Sequence, residues 1–351
     1  MEGEREGLGP RFLAGAAATF LVLLAASEVG SRWALRSGLL YRRFDFSGTL
    51  TSLAELRDRI AWDREQPRPI FLLGDSVLGA SAMVEHRIAG ARRMTVPAAL
   101  GDEARPRGWS VASLAADGLL VPDLDAIAAE LDRAAAASGP GRVVVVLNFR
   151  MFASEFEAPG RAISRDFLLP ALAGELPDPR MAVGANGLDE RLSEASVRAS
   201  YLLRTTRLLQ PLWYYPSRRD VFRRWLESGE TSEGAEVREA ALRLKVAPFY
   251  RDRWNPAGLE FRALGQLLAK LQQRGTLIVL SPQNPEFVED AGVFAANRAT
   301  LRGFVEAKAA PGIAYADLSD RFPAGAFLDH CHLTPDANRQ YARSLLERIA
   351  S

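Results

Sequence analysis

The chain has 351 residues, 48% of them hydrophobic and 25% charged, so it can bury a full core as one large or two small globular domains. Its 44 basic and 43 acidic side chains give a formal net charge of +1. The chain therefore has no strong positive charge to attract a nucleic acid, which argues against such a partner. The single cysteine, Cys331, excludes an internal disulfide and a zinc cluster of several cysteines.

The N-terminal residues predict a membrane anchor. Residues 12–26 carry no charge, and they lie between Arg11 and Glu28. The run is short for a spanning helix, which needs about 20 apolar residues, so a cleaved signal peptide and a buried soluble helix are the alternatives. We expect an anchor or signal segment over residues 1–30 and stalk or linker helices over residues 31–67.

Five short runs rich in branched apolar residues predict β-strands, at residues 69–73, 109–113, 143–147, 277–280 and 313–316. Between the second and third runs, residues 123–137 carry apolar side chains at helical spacing. Alternation of strand and helix predicts an α/β fold with a doubly wound parallel sheet of about five strands. We expect this domain to span residues 68–351, with a helical insertion at about 154–274.

Two motifs carry the candidate chemistry. Gly74-Asp75-Ser76 directly follows the first predicted strand, and Asp329-His330-Cys331-His332 precedes a last helix whose predicted start is Pro335. A serine hydroxyl is a poor nucleophile unless an imidazole takes its proton and a carboxylate fixes the tautomer of that imidazole. The motifs therefore predict Ser76 as nucleophile, His332 as base and Asp329 as the residue that orients it.

The combination of these motifs resembles the SGNH hydrolase superfamily, also called the GDSL esterases, over roughly residues 68–351. The resemblance implies an SGNH or flavodoxin-like sheet and a serine enzyme that forms an acyl intermediate. It assigns the three catalytic positions to Ser76, Asp329 and His332.

The resemblance also implies an oxyanion hole. Its donors would be the backbone N–H groups of Ser76 and Gly118 and the side-chain amide of Asn148, which follows the third predicted strand. The family usually has Gly-x-Asn-Asp at the third motif, whereas this chain has Val146 in place of the glycine and Phe149 in place of the aspartate. The asparagine is kept and its surroundings are changed.

Four further polar residues are candidate substrate contacts: Asp75, Gln283, Asn284 and His330. For residues 283–284 a plain polar loop explains the sequence equally well. A rival interpretation makes residues 329–332 a metal site, because each of those side chains can bind zinc. Neighbours in sequence seldom converge on one ion, and the only other histidine is His86. We predict neither a metal nor a cofactor.

These features predict a serine esterase or O-acyl(acetyl)transferase that acts on an envelope polysaccharide or glycan. The implied partners are an acyl donor, a carbohydrate or lipid acceptor, the membrane and a membrane acyl-transfer partner. Alternatives are a lipid or lysophospholipid esterase and a catalytically silent SGNH scaffold that binds a glycan or a membrane partner. The basic residues after the apolar run favour a cytoplasmic catalytic domain, whereas the resemblance implies an extracytoplasmic one, periplasmic or extracellular, which is the location we predict.

Overall fold

The computed structural model describes residues 10–36, 56–135, 141–153, 200–205 and 246–350, with short gaps in the second and fourth of these ranges. Five parallel strands form one sheet in the order β2-β1-β3-β4-β5. They are β1 (Pro69–Gly74), β2 (Ser110–Ala115), β3 (Arg142–Leu147), β4 (Thr276–Leu280) and β5 (Ile313–Asp317). Each strand lies within two residues of its predicted range, and the predicted α/β fold class is confirmed.

The longer helices that accompany the strands in the described residues are α1 (Pro10–Arg36), α2 (Val96–Ala104), α3 (Val121–Ala135), α4 (Leu259–Leu271), α5 (Ala291–Lys308) and α6 (Pro335–Ala350). Helix α3 corresponds to the helix that apolar spacing predicts at residues 123–137, and α6 corresponds to the predicted last helix. Helix α6 begins at Pro335 as expected, since proline lacks only an N–H that the first helical turn leaves unpaired anyway.

Helices cover both faces of the sheet. Successive side chains of a strand point to opposite faces, so Phe71 and Leu73 join one buried cluster while Ile70 and Leu72 join another. The first cluster includes side chains of α3, α4 and α5, and the second includes side chains of α2 and α6. The sheet is therefore the middle of three layers and is doubly wound.

The strand order fixes where ligands can bind. From β1 the chain moves outward to β2 on one side, and it then returns to place β3 on the other side of β1. In open α/β sheets, the crevice at this reversal lies outside the carboxyl ends of the strands and is the usual ligand site. Ser76 follows β1 and Asn148 follows β3, so both belong to that crevice.

Helix α4 lies inside the range predicted as an insertion, but it packs on the sheet. Its buried side chains Phe261, Leu264 and Leu268 belong to the same cluster as Phe71. Residues 259–271 are thus a layer of the α/β core. Residues 154–199 and 206–245, most of the predicted insertion, lie outside the described residues, and the insertion boundaries stay a prediction.

The predicted boundary at residue 30 falls within α1, which continues to Arg36. Residues Ala14–Leu35 are long and apolar enough to cross a membrane, and they are mostly exposed within the described part of the chain. Farther on, residues 37–55 of the predicted stalk lie outside the described residues. Leu56 and Ile60, four residues apart on one helix face, are buried in the core cluster beside α3, so this part of the predicted linker is packed against the sheet domain.

Candidate active site

The turn after β1 presents Ser76. Strand β1 ends at Gly74, and a short 3₁₀ turn spans Ser76–Leu78. The Asp75 carboxylate accepts a hydrogen bond from the Val77 N–H at 3.3 Å and so caps this turn. A Cβ atom at Gly74 would lie 2.8 Å from Leu78 Cδ1 and 3.2 Å from the Val146 carbonyl oxygen, so glycine lets the end of β1 approach β3 without displacing Leu78.

A second turn, before α6, presents the histidine. Phe327 and Leu333 form an antiparallel bridge, and the Leu328 N–H donates to the His332 carbonyl oxygen at 2.7 Å. Within the turn, Asp329 Oδ1 accepts from the backbone N–H groups of Cys331 at 2.9 Å and His332 at 2.8 Å. These bonds hold the Asp329 carboxylate in one orientation and leave its other oxygen to face the imidazole.

The three residues predicted to form the catalytic group lie in one hydrogen-bonded chain. Ser76 Oγ is 3.0 Å from His332 Nε2, and His332 Nδ1 is 2.7 Å from Asp329 Oδ2. In this arrangement the imidazole can accept the serine proton at Nε2 while the carboxylate accepts the Nδ1 proton. The geometry is the one that activation of a serine hydroxyl needs.

The charges around His332 favour its protonated form. Burial alone would lower the pKa of the imidazole, but the negative charges of Cys331 and Asp329 outweigh burial and raise that pKa well above its ordinary value. Burial would likewise raise the pKa of Asp329, yet the positive charge and the hydrogen bond of His332 hold that pKa well below its usual range. Asp329 therefore stays ionised and stabilises the imidazolium that forms when His332 takes a proton.

A buried ion pair lies behind the nucleophile. Asp75 is fully buried, and its Oδ2 accepts from Arg150 Nη2 at 2.9 Å. The same oxygen is 3.4 Å from Asn148 Nδ2. Asp75 thus joins the turn after β1 to the turn after β3. Its carboxylate is turned to Arg150 and Asn148, which leaves the predicted substrate contact without support, and sequence reasoning did not single out Arg150.

Besides Ser76, the two other residues predicted as oxyanion donors, Gly118 and Asn148, lie at the carboxyl edge of the sheet. Asn148 is buried, and its amide nitrogen lies 3.4 Å from Asp75 Oδ2, which is long for an N–H···O hydrogen bond, and 3.5 Å from Cys331 Sγ. Gly118 is buried three residues after β2 ends and has φ +84°, a conformation that favours glycine. Their role as donors to an oxyanion stays a prediction.

Cys331 lies inside the candidate site, where sequence reasoning had considered it only as a metal ligand. Its Sγ is 3.3 Å from His330 Nε2 and 3.7 Å from His332 Nδ1. Burial would raise the pKa of this thiol, but the positive charges of His330 and His332 lower it to about 7. The sulfur is therefore a source of negative charge next to the candidate base.

The rival metal interpretation has partial geometric support. Ligand atoms of Asp329, His330 and Cys331 lie within 4.8 Å of one another. Both Asp329 oxygens already accept hydrogen bonds, one from two backbone N–H groups and the other from His332. A metal ion held by Asp329 would compete with the serine–histidine chain, and the contacts present fit that chain better. His86 is an exposed turn residue for which the structure gives no side-chain contact with this cluster.

Gln283 and Asn284 make internal hydrogen bonds beside the turn that carries His332. Both are buried. The Asn284 amide donates to the Asp329 carbonyl oxygen at 3.0 Å, and Gln283 accepts from the Tyr250 hydroxyl at 2.8 Å. His330 is also buried, between the rings of Phe249 and Phe287. These contacts are internal, so the predicted substrate contacts at residues 283, 284 and 330 have no support in this geometry.

No protein-family model matches the sequence, and no curated protein matches it. Among solved structures, the chain is similar to the crystal structure of LAE5, an α/β hydrolase enzyme from the metagenome of Lake Arreo, Spain. The identity is 12% and the TM-score is 0.35, over 82% of this chain and 98% of that chain. A similarity at this level carries no conclusion about the fold or activity of this chain.

Proposed function

We propose that this chain is a membrane-anchored serine enzyme of SGNH type, an esterase or O-acyltransferase that works through an acyl-serine intermediate. The observation that carries the proposal is the hydrogen-bonded chain from Ser76 Oγ through His332 to Asp329, with distances of 3.0 and 2.7 Å. It stands at the carboxyl edge of a doubly wound sheet, where ligands of such folds bind.

In the proposed reaction, Ser76 Oγ attacks the carbonyl carbon of an ester as its proton passes to His332 Nε2. The backbone N–H groups of Ser76 and Gly118 and the Asn148 amide stabilise the oxyanion that forms. The bond to the leaving alcohol then breaks, and the alcohol takes the proton from His332. In the second half, a water molecule or a sugar hydroxyl attacks the carbonyl carbon of the acyl-serine and gives its proton to His332. The bond between Ser76 Oγ and the acyl carbon then breaks, and Oγ takes the proton back from His332, which restores Ser76.

The proposed substrate is an O-acylated envelope polysaccharide or glycan, and the catalytic domain is proposed to face the extracytoplasmic side. The span Ala14–Leu35 supports a membrane-bound enzyme by its length and composition. The choice of glycan and of side follows from the resemblance to anchored members of the superfamily. A lipid or lysophospholipid esterase is the enzymatic alternative. A preference for esters with longer acyl chains over acetyl esters would distinguish it.

The test is acylation of the full chain in detergent by an activated acetyl ester, followed by intact mass measurement and peptide mapping. Wild type should gain the mass of one acetyl group at Ser76, and Ser76→Ala should gain none. Ser319→Ala is a matched control, because Ser319 also follows a strand at this edge but donates to Asp317 at 2.6 Å instead of facing His332. This control should acylate like wild type.

One observation favours a second candidate function, a catalytically silent scaffold that binds a glycan or membrane partner. The Asn148 amide points toward Asp75 and Cys331, groups of this chain itself. The silent scaffold would be supported by an absence of both adduct and ester turnover with several donors. An adduct at Ser76 would exclude it, and comparison of water with sugar acceptors would then separate esterase from transferase.

A further inference from the structure

Exposed large apolar side chains lie in only two places among the residues that the structure describes. Seven of them are on α1: Phe20, Leu21, Val22, Leu23, Leu24, Val29 and Trp33. The eighth is Leu203, which is 44% exposed and belongs to a helical segment that begins at Tyr201. The run of exposed apolar side chains on α1 marks contact with a membrane or another protein, and Leu203 lies in a segment that contacts α1.

The segment that carries Leu203 is fixed to α1 by Glu28. The Glu28 carboxylate accepts from the Ser200 hydroxyl at 2.7 Å and from the backbone N–H groups of Tyr201 and Leu202, the latter at 3.0 Å. The first N–H groups of a helix have no acceptor within that helix, and a carboxylate there also complements the helix dipole. Glu28 therefore acts as the N-terminal cap of a helical segment 172 residues away in the sequence.

A second contact lies one turn farther along α1. The Arg32 guanidinium carbon is 5.6 Å from the centre of the Tyr201 ring, within the range of a cation–π interaction. Glu28 and Arg32 are four residues apart and share one face of α1. Glu28 and Arg32 therefore hold residues 200–202 against the same face of α1.

The depth of this contact follows from the apolar span. Glu28 comes two residues after the uncharged run of residues 12–26, so it lies at the end of the part of α1 that can sit in hydrocarbon. A carboxylate at this depth needs partners, and the N–H groups of residues 201 and 202 provide them. Trp33, which is 63% exposed, lies near the end of the span, where tryptophan favours the membrane–water interface.

We propose that residues 200–203 form a second membrane contact, which Glu28 and Arg32 hold at the boundary between lipid headgroups and hydrocarbon with Leu203 against lipid. This inference rests on the proposed insertion of α1 into the membrane. It ties part of the region between β3 and β4 to the bilayer surface, so the enzyme faces substrates presented there.

The test places a fluorophore on single cysteines of the full chain in phospholipid vesicles, in a Cys331→Ser background that removes the native thiol. The label is attached to Leu203→Cys, to Val22→Cys on the exposed face of α1, and to Arg339→Cys on the exposed surface of α6. Lipids that carry a quencher near the headgroup or near the chain end report depth. The shallow quencher should act on the label at residue 203 and the deep one at residue 22, with neither acting at residue 339.

The outcomes separate this inference from the anchoring proposal. A label at residue 203 that behaves like the one at residue 339, while residue 22 is quenched, overturns the second contact alone. The second contact is also overturned if the label at residue 203 is quenched neither by the lipids nor by a quencher dissolved in the water. That result would indicate burial against protein. An unquenched label at residue 22 overturns the membrane insertion of α1 and this inference with it.

Glu28→Ala tests the tether. It should abolish shallow quenching at residue 203 and leave deep quenching at residue 22 intact. Thr19→Ala is the matched control, because Thr19 bonds only the Gly15 carbonyl oxygen of its own helix among the contacts described. If quenching at residue 203 survives Glu28→Ala unchanged, the cap does not hold the segment and the proposed tether is wrong.

Discussion

The protonation state of His332 decides when Ser76 can act as a nucleophile. Only the neutral imidazole can take the serine proton, and its pKa is raised well above the ordinary histidine value. Activity should therefore be lost as the pH falls through this raised pKa. We expect the acidic limb of kcat/KM for ester turnover to lie above about pH 6.5, the ordinary histidine value, and a pH–rate profile checks this.

Cys331 should contribute to that limb. Its negative charge raises the pKa of His332, so Cys331→Ser, which keeps the size of the side chain but not its charge, should move the acidic limb to lower pH. The comparison uses pH–rate profiles of the two proteins with the same ester. A limb that stays in place or moves to higher pH would contradict this account of the site.

Arg150 should be required for stability because it balances a buried charge. Asp75 is fully buried, and Arg150→Met would leave its carboxylate without the cation 2.9 Å away. Breaking a buried pair in this way costs about 3–5 kcal/mol of unfolding free energy, measurable by urea denaturation. Adding Asp75→Asn should recover much of the loss.

A control for this prediction is Arg105→Met, which breaks an exposed pair with Asp102. Exposed pairs contribute roughly 0–1 kcal/mol, so this variant should unfold nearly like wild type. Equal losses in the Arg105 and Arg150 variants would mean that the Asp75 pair has no special role.

At the level of secondary structure, the close contact between the end of β1 and β3 limits the size of the residue at position 74. Gly74→Ala would put a methyl group 2.8 Å from Leu78 Cδ1 and 3.2 Å from the Val146 carbonyl oxygen, so the buried Leu78 side chain, which belongs to the turn that carries Ser76, must shift. We expect a slower rate of Ser76 acylation with little change in the circular dichroism of the folded protein.

Gly303→Ala is the matched control within a helix. A Cβ atom at Gly303, in α5, meets no heavy atom within 4 Å. This variant should acylate normally and gain about 1 kcal/mol of stability, because alanine favours a helix over glycine. If Gly74→Ala acylates as fast as Gly303→Ala, the tight turn is not what positions the nucleophile.

For the whole molecule, the exposed apolar face of α1 should decide membrane attachment. Val22 is 67% exposed near the middle of the span. An arginine there costs about 2.5–3.5 kcal/mol of insertion free energy, so Val22→Arg should move protein from the carbonate-resistant membrane fraction to the extractable one. Val22→Leu keeps the helix apolar and should stay with the membrane. Retention of Val22→Arg would argue against a spanning helix.

The sequence by itself determined the features that depend on local pattern. Branched apolar runs separated by helical spacing predicted the α/β class and located all five strands, because period and branching bias the backbone wherever they occur. The candidate catalytic residues Ser76, Asp329 and His332 could be chosen for a similar reason. Each lies in a short motif beside a strand or helix end, and the proline at the start of α6 marked that end.

The tertiary structure decided which distant side chains meet. The order β2-β1-β3-β4-β5 makes β1 and β3 neighbours, and only this brings Arg150 to Asp75 across 75 residues of sequence. Packing also turned Gln283 and Asn284 inward, made α4 a layer of the core, and joined Glu28 to residues 200–202. Local periodicity assigns a side chain to a face of its own strand or helix, but strand order and packing between elements determine what that face contacts.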